Sequence, residues 1–298
     1  MIEPIFERDF ADHSYGFRPA RSGKDALRRV DGLLQAGHAY VMAAYMKGYF
    51  DAIPHDRLMT RLKEKIADGS VLSLIESFLQ ANILDGLEEW TPTMGAPQGA
   101  VLSPLLSNIY LDPLDHLMAQ AGFAMVRYAD DVVILCRTAA EATRALELVQ
   151  EWVSDHGLTL HPTKTKVVDA RTDGFDFLGY HFQGGRRRPR QKSLKKLKDT
   201  IRLKTKRTNG TSMATIIGTL NPILRGWFAY FQHSHVWVFP KLDRWIRGRL
   251  RSILRKRHKG RGRDRGMDHH RWPNAYFASL GLYNLSSSVV ESRRSVRA

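Results

Sequence analysis

The sequence reads Met-Val-Arg-Tyr-Ala-Asp-Asp-Val-Val-Ile-Leu at positions 125–135. Two adjacent carboxylates, Asp130 and Asp131, stand between apolar segments of β-prone residues, which predicts two strands joined by a sharp acidic turn. Two like charges are costly to bury side by side, and a bound divalent metal would remove that cost. The alternative is a hairpin turn exposed to water, because Asp is common in turns.

Strands and helices alternate on both sides of the acidic turn. The predicted elements are a strand at 40–46, helices from Pro54, from Val71 to Asn82 and after Pro97-Gln98-Gly99, a helix capped by Thr138 and Glu141 and ended by Gly157, and short strands near Val167 and at 175–182. From Gly184, a Gly- and Arg-rich stretch predicts a linker into a second domain. Strands interleaved with helices, followed by helices alone, indicate an α+β domain and then an all-helical domain.

Net charge changes sign along the chain. Residues 1–185 hold 17 Lys and Arg against 25 Asp and Glu, whereas residues 186–265 hold 25 Lys and Arg against 3 acids. A membrane-surface segment or a disordered tail would also be basic, but here apolar residues recur at helical spacing, as in Leu194, Leu197 and Ile201. Folded basic helices commonly neutralise phosphates, so this part of the chain is predicted to bind nucleic acid.

Composition excludes several classes of protein. The chain has no run of about 18 apolar residues, which excludes a membrane-spanning helix. Its first residues include Glu3 where a signal peptide carries basic residues. With a single cysteine, Cys136, the chain cannot form an internal disulfide or a cysteine-based zinc finger. These features indicate a reducing, cytoplasmic setting.

Short blocks of sequence resemble the reverse transcriptases encoded by bacterial group II introns, in the family's order and over nearly the whole chain. The blocks are Ser14-Tyr15-Gly16-Phe17-Arg18-Pro19, Lys47-Gly48-Tyr49-Phe50-Asp51, Gly95-Ala96-Pro97-Gln98-Gly99, Tyr128-Ala129-Asp130-Asp131 and Phe177-Leu178-Gly179-Tyr180. Two later stretches, 221–231 and 242–247, are similar to the maturase-specific segment of the same family. One such match could arise by chance, whereas the shared order and spacing of all of them could not.

The resemblance implies an α+β reverse-transcriptase palm, an antiparallel sheet with packed helices, followed by an all-helical thumb and maturase domain. The implied domains are a remnant of the fingers and palm entry at 1–37, the palm at 38–183, the basic thumb and maturase domain at 184–265 and a C-terminal tail at 266–298. The family's reaction is RNA-directed DNA synthesis with two Mg²⁺ ions. Its partners are intron RNA and a duplex of RNA template and DNA primer, and the sequence leaves homo-oligomer formation open.

The same resemblance assigns residues to the active site. It gives Asp130 as the main metal ligand, with Asp131 beside it as a weaker ligand or support. Phe50 matches the position under the nucleotide sugar, although a core aromatic is the alternative. Gln98 matches the position beside the incoming nucleotide, with a turn-capping role as its alternative.

Cationic and backbone positions are assigned to nucleic-acid contacts. Lys164, Leu178 and Gly179 would meet the primer–template backbone, and a solvated surface charge is an equal alternative for Lys164. The residues offered as RNA contacts in the basic half are Lys195, Lys196, Arg202, Arg225, Arg247 and Arg251. Trp227 and its aromatic neighbours are instead predicted to form the core of a helical bundle.

Tyr45 departs from the family pattern. The family has its other essential Asp four residues before Tyr49, where this chain has Tyr45. A neutral phenol with a pKa of about 10 is a poor Mg²⁺ ligand. The first matching block also lies well inside family members, which implies that the chain is N-terminally truncated and lacks the fingers that hold the triphosphate. Both departures predict weak DNA synthesis.

Three hypotheses about function follow. The first is a group II intron-type reverse transcriptase and maturase whose polymerase activity is impaired. The second is a non-catalytic RNA-binding protein that retains a splicing-helper role, and the third is a decayed fragment. Primer extension separates the first two, and a cooperative melting transition would argue against the third.

Overall fold

The computed structural model describes residues 2–81, 83–85, 88–90, 94–97, 99–262 and 266–295 of the 298-residue chain. The chain divides into two compact units. The first unit comprises Met1–Leu178 and Gln183–Gly185, and the second comprises Gly179–Phe182 and Arg186–Ala298. Each unit has a hydrophobic core of its own.

The first unit is built around a four-stranded antiparallel sheet of order β4-β5-β1-β6. The strands of the whole first unit are β1 (Tyr40–Tyr45), β2 (Ile83–Asp85), β3 (Glu88–Trp90), β4 (Ala124–Tyr128), β5 (Asp131–Cys136), β6 (Lys166–Asp169) and β7 (Phe175–Phe177). Its helices are α1 (Glu3–Glu7), α2 (Gly23–Gln35), α3 (Tyr49–Ala52), α4 (His55–Lys63), α5 (Gly69–Leu79), α6 (Ser103–Gln120) and α7 (Ala139–Asp155). This mixture of antiparallel strands and packed helices confirms the predicted α+β class.

β1 lies at the centre of the sheet, with β5 on one side and β6 on the other. Its four interior residues, 41–44, are all buried. Met42 and Ala44 belong to the main core, whereas Val41 and Ala43 point to the opposite face of the sheet. Burial of both faces explains why this strand reads as a continuous apolar run rather than an alternating pattern.

The first unit contains the helix cap that the sequence predicted. α7 begins after Thr138, whose Oγ1 accepts a hydrogen bond from the backbone N–H of Glu141 at 3.2 Å. The Glu141 carboxylate accepts from the backbone N–H of Arg137 at 2.9 Å, one residue before the position a capping box requires. The helix ends just before Gly157, which adopts a left-handed φ of 71°.

The second unit is mainly helical. It contains β8 (Tyr180–Gln183) except for its last residue, β9 (Arg186–Pro189), α8 (Gln191–Lys204), α9 (Met213–Phe231), α10 (Val238–Arg257), α11 (Gly266–Arg271), α12 (Asn274–Ser279) and α13 (Leu285–Ser295). Buried residues of α9 and α10, among them Leu220, Phe228 and Ile246, form the centre of its core. Across the described residues, no helix is both long enough and apolar enough to cross a membrane.

The arginine-rich stretch after Gly184 differs from the linker that the sequence predicted. Arg186–Pro189 form β9, which is hydrogen-bonded to β8. The second unit therefore begins with paired strands rather than with a helix. Exposed arginines on a strand leave no apolar alternation from which a strand could be predicted.

The predicted C-terminal tail, 266–298, is folded into the second unit as far as it is described. Trp272, Phe277 and Leu285 lie in its core. Side chains from the maturase-like stretches hold this segment in place. The Asn221 Nδ2 donates to the Gly281 carbonyl at 2.8 Å, and the Asp243 carboxylate accepts from the backbone N–H groups of residues 285 and 286. Contacts between residues so far apart in the sequence cannot be predicted from local sequence patterns.

Candidate active site

The acidic turn joins β4 to β5, with Tyr128 paired to Asp131. Ala129, the first residue of the turn, is buried and has a φ of 57°, a conformation that costs a residue with a Cβ some strain. Asp130 and Asp131 are both half-buried. The sequence therefore predicted the turn and its strands correctly, and both Asp residues lie at the end of the β4–β5 hairpin.

Arg127 fixes the backbone of this turn through buried hydrogen bonds. Its guanidinium is fully buried and donates to the Ala129 carbonyl at 3.0 Å and to the Asn108 Oδ1 at 2.9 Å. Its Nε donates to Asp115, itself fully buried, at 2.8 Å. Burial opposes the charge on Arg127, but the neighbouring Asp115 carboxylate outweighs it and raises the pKa of Arg127. The cation is thus paired and also bound to the turn.

The segment around Gly16 also packs against the turn. The Arg127 backbone N–H donates to the His13 carbonyl at 3.0 Å, and the Tyr15 N–H donates to the Arg127 carbonyl at 2.9 Å. A Cβ on Gly16 would lie 2.3 Å from the Ala129 nitrogen, closer than any side chain can approach. This contact gives a physical reason for glycine in the Ser-Tyr-Gly block.

Sequence reasoning missed the positioning residues Arg127, Asp115 and Asn108. Each lies within or beside an apolar segment, where a polar side chain must find a partner when it is buried. A polar residue within an apolar segment was the feature of the sequence that could have indicated these buried positions. The pairing between α6 and β4 could not be read from it, because the residues belong to separate elements.

Tyr45 occupies the end of β1, directly opposite Asp131 on β5. Residues opposite each other in an antiparallel pair project to the same face, so the Tyr45 ring lies on the side of the sheet that carries the Asp131 carboxylate. The Tyr45 hydroxyl donates to the backbone carbonyl of Asp176 at 3.1 Å. The Tyr45 backbone carbonyl accepts a hydrogen bond from the His161 N–H at 2.7 Å. Tyr45 is therefore fixed through both its side chain and its main chain.

The predicted nucleotide position Phe50 is half-buried in α3 and meets the Tyr49 ring edge-on at 5.5 Å between centroids. The Phe50 carbonyl accepts from the Ala96 N–H at 2.6 Å, which ties residues 94–97 to α3. Tyr49 is buried, and desolvation raises the pKa of its phenol, whose hydroxyl donates to the Ser107 carbonyl at 2.8 Å. Gln98, the other predicted nucleotide contact, lies outside the described residues.

Comparison with known families identifies this arrangement. The profile of the reverse transcriptase (RNA-dependent DNA polymerase) family matches residues 1–182. The chain belongs to the reverse transcriptase family. A second profile, the group II intron maturase-specific domain, matches residues 194–272 of this reverse transcriptase. Both matches confirm the resemblance seen in the sequence.

Two curated proteins illustrate the relationship, and the chain also aligns weakly with one solved structure. The chain is 28% identical over 320 residues to the "Uncharacterized 91 kDa protein in cob intron" of Schizosaccharomyces pombe, covering 79% of this chain and 40% of that protein. It is 39% identical over 120 residues to the "Group II intron-encoded protein LtrA" of Lactococcus lactis subsp. cremoris, covering 40% of this chain and 20% of that protein. A telomerase structure from Candida albicans aligns at 16% identity and a TM-score of 0.49, covering 82% of this chain and 48% of that one. The chain thus spans less than half of the length of each.

The residues of this reverse transcriptase do not fit a two-ion magnesium site, although the family is metal-dependent. Within the described ranges, no group of three or more His, Cys, Asp or Glu side chains could hold a metal ion. Asp130 and Asp131 supply carboxylates from the turn, but the facing strand supplies the Tyr45 phenol. Asp51 is exposed in α3, beyond the end of β1.

The predicted primer–template residues lie in two different units. In the first unit, Lys164 is exposed in the turn before β6, and Leu178 adopts a left-handed φ of 45°. In the second unit, the Gly179 carbonyl accepts from the Arg190 N–H at 2.9 Å and from the Ser193 Oγ at 3.2 Å.

Most of the predicted RNA contacts of this reverse transcriptase reach the surface of the second unit. Lys195 and Lys196 are exposed on α8. Arg202, also exposed, pairs with Asp199 and lies 5.7 Å from the centroid of the Trp245 ring.

The other three predicted contacts differ in exposure. Arg225 is exposed on α9, 5.4 Å from the centroid of the Tyr283 ring, and Arg247 is half-buried on α10. Arg251 is 2% exposed, and its guanidinium donates to the Trp272 carbonyl at 3.0 Å and to the Asn274 Oδ1 at 2.8 Å. This burial removes Arg251 from the RNA contacts, because its cation is engaged in packing α10 against the C-terminal helices. Periodicity alone did not reveal which face of α10 is buried.

Proposed function

We propose that this protein is a group II intron-type reverse transcriptase and maturase that binds RNA but synthesises DNA poorly. The observation that carries the proposal is the placement of Tyr45 opposite Asp131, with its hydroxyl bonded to the Asp176 carbonyl. Two-metal nucleotidyl transfer needs carboxylates that clamp both ions from more than one strand. Here the second strand offers a neutral phenol, so Asp130 and Asp131 would hold Mg²⁺ only weakly.

The expected loss of rate follows from the size of single electrostatic contributions to catalysis. Removing one preorganised group that stabilises transition-state charge typically lowers the rate by about 10²–10³. Losing a carboxylate that would contact both ions should lower the rate by at least the same factor. Within this proposal, Phe50 and Gln98 keep their family positions beside the nucleotide, and Lys164 and Leu178 keep theirs beside the primer–template duplex.

Support for RNA binding comes from the second unit. The maturase-specific profile covers residues 194–272, most of which lie in the strongly basic part of the sequence, residues 186–265. Lys195, Lys196, Arg202 and Arg225 hold their charges at the surface, where they can neutralise phosphates. Arg247 is half-buried and would contribute from the side of α10.

Metal binding and RNA binding can be tested separately on three proteins: the natural chain, its Tyr45→Asp variant and a Tyr45→Phe control. With hydrogen peroxide as oxidant and ascorbate to re-reduce the iron, Fe²⁺ bound in place of Mg²⁺ generates hydroxyl radicals that cut the nearby protein backbone. We expect cleavage beside residues 45 and 130 in Tyr45→Asp and little in the natural chain. Tyr45→Phe is the matched control, because it removes the hydroxyl without adding a carboxylate, and it should behave like the natural chain.

RNA affinity should be equal in all three proteins, because the substitution lies in the first unit. Anisotropy titration of a labelled structured RNA would measure it. Equal Fe²⁺ cleavage in the natural chain and Tyr45→Asp would contradict the metal part of the proposal. Failure of the natural chain to bind RNA at low salt would contradict the RNA part.

A further inference from the structure

Trp237 is the most exposed tryptophan side chain among the described residues of the second unit. It is 64% exposed, whereas Trp272 is 7% exposed in the core of the same unit. It lies immediately before α10 as the N-cap residue of that helix. An exposed indole offers a large apolar ring face to a binding partner, and tryptophan is enriched at binding surfaces.

Two side chains flank the Trp237 ring. The Arg186 guanidinium carbon lies 5.7 Å from the ring centroid, within the range of a cation–π contact. The His235 ring lies 5.1 Å from the Trp237 ring, at an interplanar angle of 83°. We call these three residues, Trp237, Arg186 and His235, the Trp237 platform.

Two hydrogen bonds join the segment of the Trp237 platform to β9. The His235 N–H donates to the Arg187 carbonyl at 2.8 Å, and the Arg187 Nε donates to the His233 carbonyl at 3.1 Å. The segment that carries Trp237 is therefore joined at two points to the strand that carries Arg186. These bonds hold the backbone next to Trp237 beside the backbone next to Arg186.

Strand geometry places a second cation on the same side as Arg186. Side chains alternate along β9, and the exposed residues Arg186 and Arg188 project to one face. Arg187 projects to the other face, where its guanidinium lies 5.5 Å from the Tyr180 ring centroid. An exposed indole thus lies beside the exposed face of an arginine-bearing strand.

We propose that the Trp237 platform binds one unpaired RNA base, stacked on the indole, while Arg186 contacts the adjoining phosphate. This inference rests on the proposed RNA-binding function and specifies a site for it. Aromatic rings bind bases of single strands by stacking, and neighbouring cations bind the backbone. The charge of the surrounding segment, 25 Lys and Arg against 3 acids over residues 186–265, favours a polyanion over an ordinary protein partner.

The test measures the affinity of the full chain for two probes. One is a labelled oligouridine of about 12 nucleotides, a length within the range of single-strand binding sites, and the other is a blunt RNA duplex of similar length. Trp237→Ala should weaken oligouridine binding by roughly 5- to 150-fold, the loss of one stacked base. It should leave duplex binding and the salt dependence unchanged, because the indole carries no charge.

Two further variants complete the test. Trp237→Phe retains a ring and should recover most of the affinity for oligouridine. Met267→Ala removes another exposed apolar side chain, 76% exposed on α11, and should change neither affinity. Melting curves of all variants should superimpose, because none of the altered side chains is buried.

The outcomes distinguish this inference from the function on which it rests. If the natural chain binds neither probe, the RNA-binding function fails and the site with it. If the natural chain binds oligouridine and Trp237→Ala binds it equally well, the function stands and the site is overturned, which would indicate that the indole meets another partner. An equal loss on both probes would also overturn base stacking.

Discussion

Arg127 shows how one residue can organise the acidic turn. It is a fully buried cation bound to Asp115, to Asn108 and to the carbonyl of Ala129. A buried charge is tolerable only when it is paired and hydrogen-bonded. Because one of these bonds goes to the turn itself, the ion pair positions Asp130 without contacting any substrate.

Replacing Arg127 with Gln should destabilise the protein by about 3–5 kcal/mol, since Asp115 would be left as an uncompensated buried charge. The free energy of unfolding, measured by urea denaturation, would show this loss. Arg28→Gln is the matched control, because Arg28 and Asp25 form an ion pair at the surface that is worth about 1 kcal/mol or less. Equal losses in the two variants would contradict the account of Arg127.

The sequence predicted the acidic residues of the turn, but it did not predict the residues that hold the turn in place. Asp130 and Asp131 were recognisable because their neighbours in sequence are apolar and β-prone. Asp115 was not recognised, because its partner Arg127 belongs to another element. Arg251 was assigned to RNA because its burial depends on helices that follow it in the sequence.

At the level of elements, Gly16 leaves no room for a side chain, because its segment packs against the acidic turn. A Cβ at position 16 would lie 2.3 Å from the Ala129 nitrogen, which belongs to rigid backbone. We expect Gly16→Ala to displace the turn and to cost about 1–3 kcal/mol of stability, as overpacking usually does.

Gly32→Ala provides the control for that substitution. Gly32 is exposed within α2, and a Cβ there would meet nothing within 4 Å. Alanine should therefore stabilise the helix by about 0.5–1 kcal/mol. Thermal unfolding of both variants would measure the two effects, and a Gly16→Ala protein as stable as the natural one would contradict the described packing.

β5 carries the only cysteine of the sequence, and the reactivity of its thiol measures whether β5 is accessible to solvent. Cys136 is 2% exposed, and burial raises the pKa of its thiol from 9.0 to about 11. We expect a thiol reagent to label the folded protein slowly at neutral pH and the urea-unfolded protein rapidly. Labelling of the folded protein at the unfolded rate would show that β5 is open to solvent.

The same thiol predicts a direction for the dependence of stability on pH. In the unfolded chain the thiol ionises near its ordinary pKa of 9.0, whereas in the folded protein it ionises near 11. The contribution of Cys136 is therefore constant below about pH 9 and is lost as the pH rises from there towards 11. Cys136→Ser should reduce this loss in urea titrations at alkaline pH.

Elements with a strong local signal were predicted well, and the others were not. β1, β5 and α7 follow from apolar runs, a capping residue and a terminal glycine. β9 was missed because arginines occupy it, and its pairing with β8 is what makes it a strand. α12 and α13 were missed because the side chains that anchor them, such as Asp243, lie far away in sequence.

Over the whole molecule, the charge distribution separates an acidic first part from a basic second part. Residues 1–185 carry 25 acids against 17 bases, and residues 186–265 carry 3 acids against 25 bases. Phosphate neutralisation releases counterions, so RNA affinity should fall steeply with salt.

Replacing Lys195 and Lys196 together with Ala should lower the slope of log affinity against log salt by about 1 for each phosphate that the variant no longer neutralises. The control is the double replacement of Arg137 and Arg144 with Ala, which removes two exposed cations from the first unit. Anisotropy titrations over a series of salt concentrations would measure both slopes. A larger change in the control would place the RNA on the first unit.

Single-nucleotide incorporation on an RNA template primed with DNA, in the presence of Mg²⁺, tests the role of Tyr45 most directly. The Tyr45→Asp variant should incorporate at least about 10²–10³ times faster than the natural chain, whereas Tyr45→Phe should be no faster. Equal rates in the natural chain and Tyr45→Asp would contradict the claim that this phenol limits DNA synthesis.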